Sequence, residues 1–365
     1  MLYAGPLLAA RAGTGGGTAG GAETQIFLLA RELRRRGHAV AIATFAVDGL
    51  MPREVEGVEI VPIPARPPSA SPVRTALWAC RFLCALVRLD AGVVVQRGAG
   101  AVTGLVALTT RAAGRRFVYS SANVIDFDYH DLERSRIALR LFGVGRRLAT
   151  RIVVQSDEQA ELCTRRWGRQ STVIRSLVEP SPLRAGPPEA FLWIARLASY
   201  KRPEVVVELA RRLPHARFRM VVSPSDRDPE LVRRLTDDAG RLENLELLPP
   251  RSRSELAPLY DSAVAVLNTS AYEGMSNVLL EGWSRGVPAL VYSHDPDRLV
   301  ESHGLGWVAK GSLDRLTELA AFAWERRHDQ SDLSERCRAY VATNHAPDCA
   351  AERWESVLEL GRALR

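Results

Sequence analysis

The stretch NTSAYEGMSNVLLEGWSRGVP, residues 268–288, follows an apolar run at 263–267 and carries two carboxylates, Glu273 and Glu281, eight positions apart. The run reads as a strand, and Gly274, Met275, Ser276 and Asn277 read as a turn and the start of a helix. A helix starting there aims its free N–H groups and the positive end of its dipole at whatever lies above the strand end, which suits a phosphate. Glu273 then stands at the mouth of the turn, and Glu281 lies one helical turn inside on the same side. A strand that hands over to a helix in this way is part of a βαβ unit, so the stretch predicts an α/β protein with a parallel sheet.

The same alternation runs outward in both directions. Short apolar runs predict strands near 2–8, 40–44, 59–63, 92–96, 117–121, 151–155 and 172–175, with helices near 22–36, 73–88, 100–113, 131–149 and 157–167. EPSPLRAGPPE, residues 179–189, holds four prolines and is the best linker in the chain. The pattern then restarts with strands near 190–195, 217–222, 245–248, 263–267 and 288–292, and helices near 203–213, 229–241, 253–261 and 277–286. Two doubly wound domains facing each other across a cleft are expected, at 1–180 and 181–347. A final helix within 348–365 carries Trp354, Val357 and Leu358 near helical spacing and is expected to pack back on the first domain.

The chain has 365 residues, 46% hydrophobic and 25% charged, as in a soluble globular protein. Its five cysteines include no Cys-x-x-Cys pair, so neither a disulfide framework nor a zinc site is expected, and a reducing cytoplasm is the default. No run of about 18 apolar residues predicts a membrane span, and the opening MLYAGPLLAA reads as a first strand rather than a signal peptide. Only Lys201 and Lys310 are lysines among 49 basic residues, a hint that Lys201 answers a need for a compact ammonium. Net charge is +9 over residues 1–180 and −2 over 181–365, so the first half is the one to meet an anionic partner.

Two further stretches could carry chemistry. In GTGGGTAGGAETQ, residues 13–25, Gly20 and Gly21 stand just before a helix start and let backbone approach a ligand closely. Gly15, Gly17 and Gly20 also match a dinucleotide pattern, but the next strand ends at 42–45 with no acid to hold a ribose. In IARLASYKRPE, residues 194–204, Arg196 and Lys201 can both turn toward the ends of the strands and supply two positive charges to a diphosphate.

Three segments, GGAETQIFLLARELRRRGHAV (20–40), IARLASYKRPEVVVELARRLP (194–214) and EGMSNVLLEGWSRGVPAL (273–290), resemble in order and spacing the retaining family 4 glycosyltransferases of the GT-B fold. The resemblance implies a nucleotide diphosphate sugar, UDP- or GDP-linked, as donor and a glycan, lipid-linked or small-molecule acceptor, with no metal or other cofactor and no nucleic acid. Glu281 would hold the ribose, Arg196 and Lys201 would neutralise the diphosphate, and Glu273 would lie beside the transferred sugar. The backbone of Gly274, Met275, Ser276 and Asn277 would line the sugar and phosphate pocket. Gly20 and Gly21 would close over the donor, and residues 248–251 would hold the base. His38 is taken as structural.

One departure from the family lies in SSANVIDFDYHD, residues 120–131, where many relatives place a histidine near the reacting centre. Here Asn123, Asp126 and His130 are the candidates for the acceptor side. Asp126 and Asp128 match Asp-x-Asp in letters only. PVRTALWACRFLCALVRLD, residues 72–90, repeats arginine every seven positions among apolar residues. It reads either as a crossover helix or as a helix that rests on an anionic membrane at the inner face. A nucleotide-sugar epimerase and a non-catalytic sugar-nucleotide-binding homologue are the competing functions.

Overall fold

The computed structural model describes residues 20–45, 52–63, 72–131, 135–223 and 229–359. The expected strand at 2–8, together with Gly15 and Gly17, lies outside them. The chain divides into two compact units, Met1–Leu177 with Pro347–Arg365, and Val178–Ala346.

In the first unit, α1 (Gly21–Arg35) leads into β1 (Ala41–Phe45), which pairs in parallel with β3 (Val58–Ile63); the short β2 (Glu54–Val55) runs antiparallel to β3. β4 (Val93–Arg97), β5 (Arg116–Ser120), β6 (Arg151–Val154) and β7 (Thr172–Val173) form a second sheet, parallel and in sequence order. The crossover helices are α2 (Pro72–Arg88), α3 (Ala101–Ala112), α4 (Arg136–Leu148) and α5 (Asp157–Trp167). α3 and α4 cross where Gly104 and Gly145 meet the facing backbone, and a Cβ on Gly104 would sit 2.2 Å from the Leu141 carbonyl oxygen. A side chain there would push the helices apart.

The expected helix over 131–149 is corrected at its start. Ser135 caps α4, accepting from the Ala138 N–H, and residues 124–131 form instead a 3₁₀ segment kinked at Asp128. A serine that caps a helix satisfies a first-turn donor and fixes the boundary. After the second unit the chain ends in α13 (Pro347–Leu358), whose Trp354, Val357 and Leu358 pack with Leu28, Leu29 and Leu33 of α1. Glu355 takes a two-pronged hydrogen bond from Arg36, at 2.9 and 2.8 Å, and meets His38 Nε2 at 2.7 Å. Arg36 first, and then His38, hold its carboxyl down at about 2.

The second unit has one six-stranded parallel sheet. Its strands are β8 (Ala190–Arg196), β9 (Phe218–Ser223), β10 (Leu245–Leu248), β11 (Ala263–Asn268), β12 (Ala289–Val291) and β13 (Gly306–Val308). The spatial order is β10-β9-β8-β11-β12-β13, so counted within the unit it runs 3-2-1-4-5-6. That is the doubly wound order, whose winding reverses between β8 and β11. β11 is buried along its whole length, as a central strand covered on both faces requires.

Helices α6 (Pro203–Arg212), α7 (Pro229–Ala239), α8 (Arg253–Asp261), α9 (Asn277–Ser284), α10 (Leu299–His303), α11 (Leu313–Glu325) and α12 (Ser331–Asn344) complete the unit. α9 stops two residues before the predicted 286, because Gly286 turns the chain with φ +77. β13 and α10 to α12 had no sequence prediction.

Candidate functional site

Ligands of doubly wound sheets bind beyond the carboxyl ends of the strands where the winding reverses. In the second unit that place is defined by Arg196, the last residue of β8, and Asn268, the last residue of β11. The chain leaving β8 makes a short 3₁₀ turn, Ser199–Lys201, before α6. Two hydrogen bonds fasten that turn to the chain leaving β11. Thr269 Oγ1 donates to the Lys201 carbonyl at 2.5 Å, and the Ala271 N–H donates to the Tyr200 carbonyl at 2.7 Å. Trp193 Nε1, buried in β8, donates to the same Thr269 oxygen at 3.0 Å. The two loops are thus tied together, and the Tyr200 and Tyr272 rings stack 4.9 Å apart above the tie.

The tie places Lys201 against Glu273. Glu273 is 8% exposed, and one of its oxygens accepts from both Lys201 Nζ and Ser270 Oγ, the latter at 2.8 Å. The spacing in sequence suggested two groups serving different parts of a ligand, and the structure joins them as an ion pair. His294 Nε2 lies 3.3 Å from the Glu273 carbonyl oxygen. Arg196 is exposed at its strand end. Gly274, Met275 and Ser276 form the turn, and α9 begins at Asn277 with no side-chain cap from Ser276, so its positive end faces the strand ends.

Glu281 sits one turn into α9 and is mostly buried. Tyr260, 2% exposed on α8, donates its hydroxyl to Glu281 Oε2 at 2.9 Å. Arg253, in the first turn of α8, lies 3.7 Å from Glu281 Oε1 and also pairs with Glu179. Burial raises the Glu281 carboxyl above its ordinary range, against the pull of Arg253 and Tyr260. Ser252 and Glu255 form a reciprocal capping box that fixes the start of α8 and therefore Arg253. Sequence reading missed Tyr260 and Arg253. The Ser-x-x-Glu box was visible at 252–255, but nothing in the pattern showed that α8 would lean on Glu281.

Residues 248–251 leave the end of β10 and lead into that cap. Lys310 is a surface residue paired with Glu301 at 2.6 Å, away from the strand ends of β8 and β11. Gly20 and Gly21 belong to the first unit, at the start of α1.

The acceptor-side candidates also fall in the first unit, where Asp126 is tied to its surroundings. Its Oδ2 accepts from Tyr119 Oη (3.1 Å), Ser121 Oγ (3.1 Å), the Ala122 N–H (2.7 Å) and the Asn123 N–H (3.4 Å). Oδ2 is thereby held by β5 and its own loop, and the residue is buried. Asn123 Oδ1 accepts from the Ile125 N–H at 3.3 Å, and His130 lies in the 3₁₀ segment. Asp128 pairs with Arg166 at 3.4 Å, so Asp126 and Asp128 do not converge on one point.

Among the described residues no helix is long and apolar enough to cross a membrane.

Known proteins share the fold described above. Residues 19–181 match the family described as Glycosyltransferase Family 4, and residues 178–340 match Glycosyl transferases group 1. A D-inositol 3-phosphate glycosyltransferase of Nocardiopsis dassonvillei is 26% identical, covering 89% of this chain and 91% of its own. The protein of that name from Frankia alni is 27% identical over 76% of this chain and 78% of its own. Among solved structures, Anabaena HepE in complex with UDP and glucose superposes with TM-score 0.78 at 16% identity, covering 94% and 97% of the two chains. WaaG, a glycosyltransferase involved in lipopolysaccharide biosynthesis, superposes with TM-score 0.67 at 18% identity over the same shares. Two family matches that together run from residue 19 to 340, over the fold shared with these structures, make this chain a member of the family 4 glycosyltransferases of the GT-B fold.

Proposed function

We propose that the protein is a retaining glycosyltransferase that moves a sugar from a UDP- or GDP-sugar to a hydroxyl of a glycan, lipid-linked or small-molecule acceptor. The observation that carries this reading is the convergence of Lys201, Glu273 and the start of α9 at the point where the sheet of the second unit reverses its winding. Lys201 and Arg196 neutralise the donor diphosphate as the leaving group gains negative charge. Glu273 stands beside the sugar and stabilises positive character at the anomeric carbon, and Glu281 receives the ribose hydroxyls. Fixed cations at one end and a carboxylate at the other supply this stabilisation without a metal. The acceptor hydroxyl attacks from the face the diphosphate leaves, and the departing phosphate takes its proton.

A thermal-shift screen of the full chain against UDP, GDP, ADP and their sugars tests the donor. One nucleotide and its sugar should raise the midpoint by mass action; no shift with any of them overturns the reading. Retention is read from the product by the anomeric proton signal, and an inverted anomer overturns that part alone.

Tyr260→Phe removes a donor to Glu281 while keeping the ring that fills the core. Donor Kd should rise up to about tenfold, less than the full worth of a hydrogen bond to a charged group because Tyr260 acts through Glu281, with kcat little changed. An unchanged Kd would show that Tyr260 does not orient the carboxylate.

We further propose that the enzyme works in the cytoplasm and touches the inner face of the membrane through α2. Val73, Leu77 and Val87 are 76, 51 and 50% exposed along one stripe of that helix. Exposed Arg74, Arg81 and Arg88 flank them. Wild type should co-sediment with anionic vesicles and be released by salt, and a variant with the three arginines changed to Gln should not. Equal sedimentation of both sinks the idea.

A further inference from the structure

Lys201 is followed by a residue in a disfavoured conformation. Arg202 has φ 49 and ψ 55, in the left-handed region, and Pro203 comes next, at the start of α6. A Cβ is crowded in that region, and a proline pushes the residue before it toward extended backbone. The Lys201–Arg202 peptide is planar, so turning it over changes only ψ of Lys201 and φ of Arg202. That turn would carry Arg202 out of the left-handed region and swing the Lys201 carbonyl to the other side of the chain. Local preference therefore works against the observed placement of Lys201, and the surroundings must hold it.

Two hydrogen bonds do so. The N–H of the peptide, that of Arg202, donates to the Ser199 carbonyl at 3.0 Å, inside the 3₁₀ turn itself. Its oxygen, that of Lys201, accepts from Thr269 Oγ1 at 2.5 Å, and this bond reaches outside the turn to the chain leaving β11. Thr269 is buried, and its hydroxyl has a single proton to give. Trp193 Nε1, buried in the core of the sheet, donates to the same oxygen at 3.0 Å, so the Thr269 proton cannot point that way and is directed at Lys201. The chain Trp193–Thr269–Lys201 thus runs from the core to the backbone of the lysine that pairs with Glu273.

We propose that Thr269, with Trp193 behind it, is a positioning residue for sugar transfer: it locks the strained Lys201–Arg202 peptide and so aims the Lys201 ammonium. The lock stands on the geometry. Its bearing on turnover rests on the glycosyl-transfer reading above, in which Lys201 meets the donor diphosphate. A residue that acts only through Lys201 has nothing to act on once the ammonium is gone, and this separates positioning from general support of the fold.

The test is a cycle of full-chain variants, with turnover read as nucleoside diphosphate released from the nucleotide sugar that wild type binds. Thr269→Val keeps the shape and removes the hydroxyl. It should lower kcat/KM at least about tenfold, as a small misplacement of a reacting group does, and speed amide exchange across residues 199–202. Thr269→Ser keeps the hydroxyl and should retain most of both properties. In the Lys201→Ala background Thr269→Val should change kcat/KM by less than about twofold, although in both backgrounds it lowers the melting midpoint by leaving the Trp193 N–H without an acceptor. Arg202→Gly, measured also by itself, takes the left-handed region without strain and should recover part of the turnover lost in Thr269→Val.

Equal losses of turnover with and without Lys201 would make Thr269 a structural residue and overturn the proposal. No recovery by Arg202→Gly would show that Thr269 does not work against strain, which overturns the lock. Should Thr269→Val not fold, Trp193→Phe decides, since it cuts the other end of the chain. It should lower kcat/KM about three- to tenfold, the worth of one hydrogen bond, and cause no further loss beyond Lys201→Ala; the same loss in both backgrounds overturns the proposal. A wild type that releases diphosphate from no nucleotide sugar sinks the glycosyl-transfer reading instead. The lock is then judged by exchange alone, and exchange at 199–202 unchanged by Thr269→Val overturns it as well.

Discussion

Lys201→Ala is expected to lower kcat/KM for sugar transfer by about 10²- to 10³-fold, the usual loss when one fixed group that stabilises transition-state charge is removed. The size of the effect follows from how firmly the ammonium is placed. Its backbone carbonyl accepts from Thr269, its N–H donates to Ala198 O at 2.9 Å, and its side chain is pinned to Glu273. A preorganised cation costs nothing to orient at the moment the leaving group gains charge, and a mobile surface lysine would be worth far less. Lys201→Arg should not rescue activity, because a planar fork in place of a compact ammonium cannot occupy the same position beside Glu273.

The variant has a second consequence that separates structure from chemistry. Glu273, 8% exposed, would keep only Ser270 as a side-chain donor, so Lys201→Ala should also lower the melting midpoint. Adding Glu273→Gln removes the orphaned charge and should restore most of the stability without restoring turnover. Stability and activity that recover together would show that the single variant merely disturbed the fold. A kcat/KM within twofold of wild type would remove Lys201 from the reaction.

How far the sequence led depended on whether a property was local. The strand, turn and helix around Glu273 and Glu281 were readable because apolar run, glycine turn and helix start follow one another in the chain. So were β10 and α8, whose predicted bounds coincide with the observed ones. The order 3-2-1-4-5-6 was not readable, since it records which strands lie side by side in space. α10, β13 and α12 were missed for two different reasons. The first two are five and three residues long, too short for a period to show. α12 carries four charged residues in its first eight positions and buries only Ser334, Cys337, Tyr340 and Val341.

The same limit applies to the candidate site. Asp126 was a candidate because it stands in the loop where many relatives place a histidine, and only the fold shows the four donors around its Oδ2. Tyr260 drew no reading from the sequence. Its ring is buried, but its hydroxyl ends on Glu281, and that contact joins two helices whose packing has no signature in either segment.

Glu281→Gln should raise the melting midpoint at neutral pH while weakening donor binding by about 10- to 100-fold, the worth of a hydrogen bond to a charged group. The two effects have one cause. Burial raises the Glu281 carboxyl, so the folded protein holds its proton more readily than the unfolded chain does. For a carboxyl shifted upward the penalty is absent below the unfolded value of 4.5 and grows as pH rises through the folded value. Gln carries no such penalty, so the gain of the variant over wild type should be largest at pH 7 to 8 and vanish toward pH 4, a range set by the direction of the shift. Donor affinity of wild type should move the opposite way, falling as the pH drops and the carboxyl that receives the ribose becomes protonated, while Glu281→Gln shows a flat profile. Melting midpoints and donor Kd measured on both proteins across this range decide the matter. A variant less stable than wild type at neutral pH would mean that Arg253 and Tyr260 more than offset the burial, making Glu281 a structural ion-pair partner; an unchanged donor Kd would remove it from the ribose site.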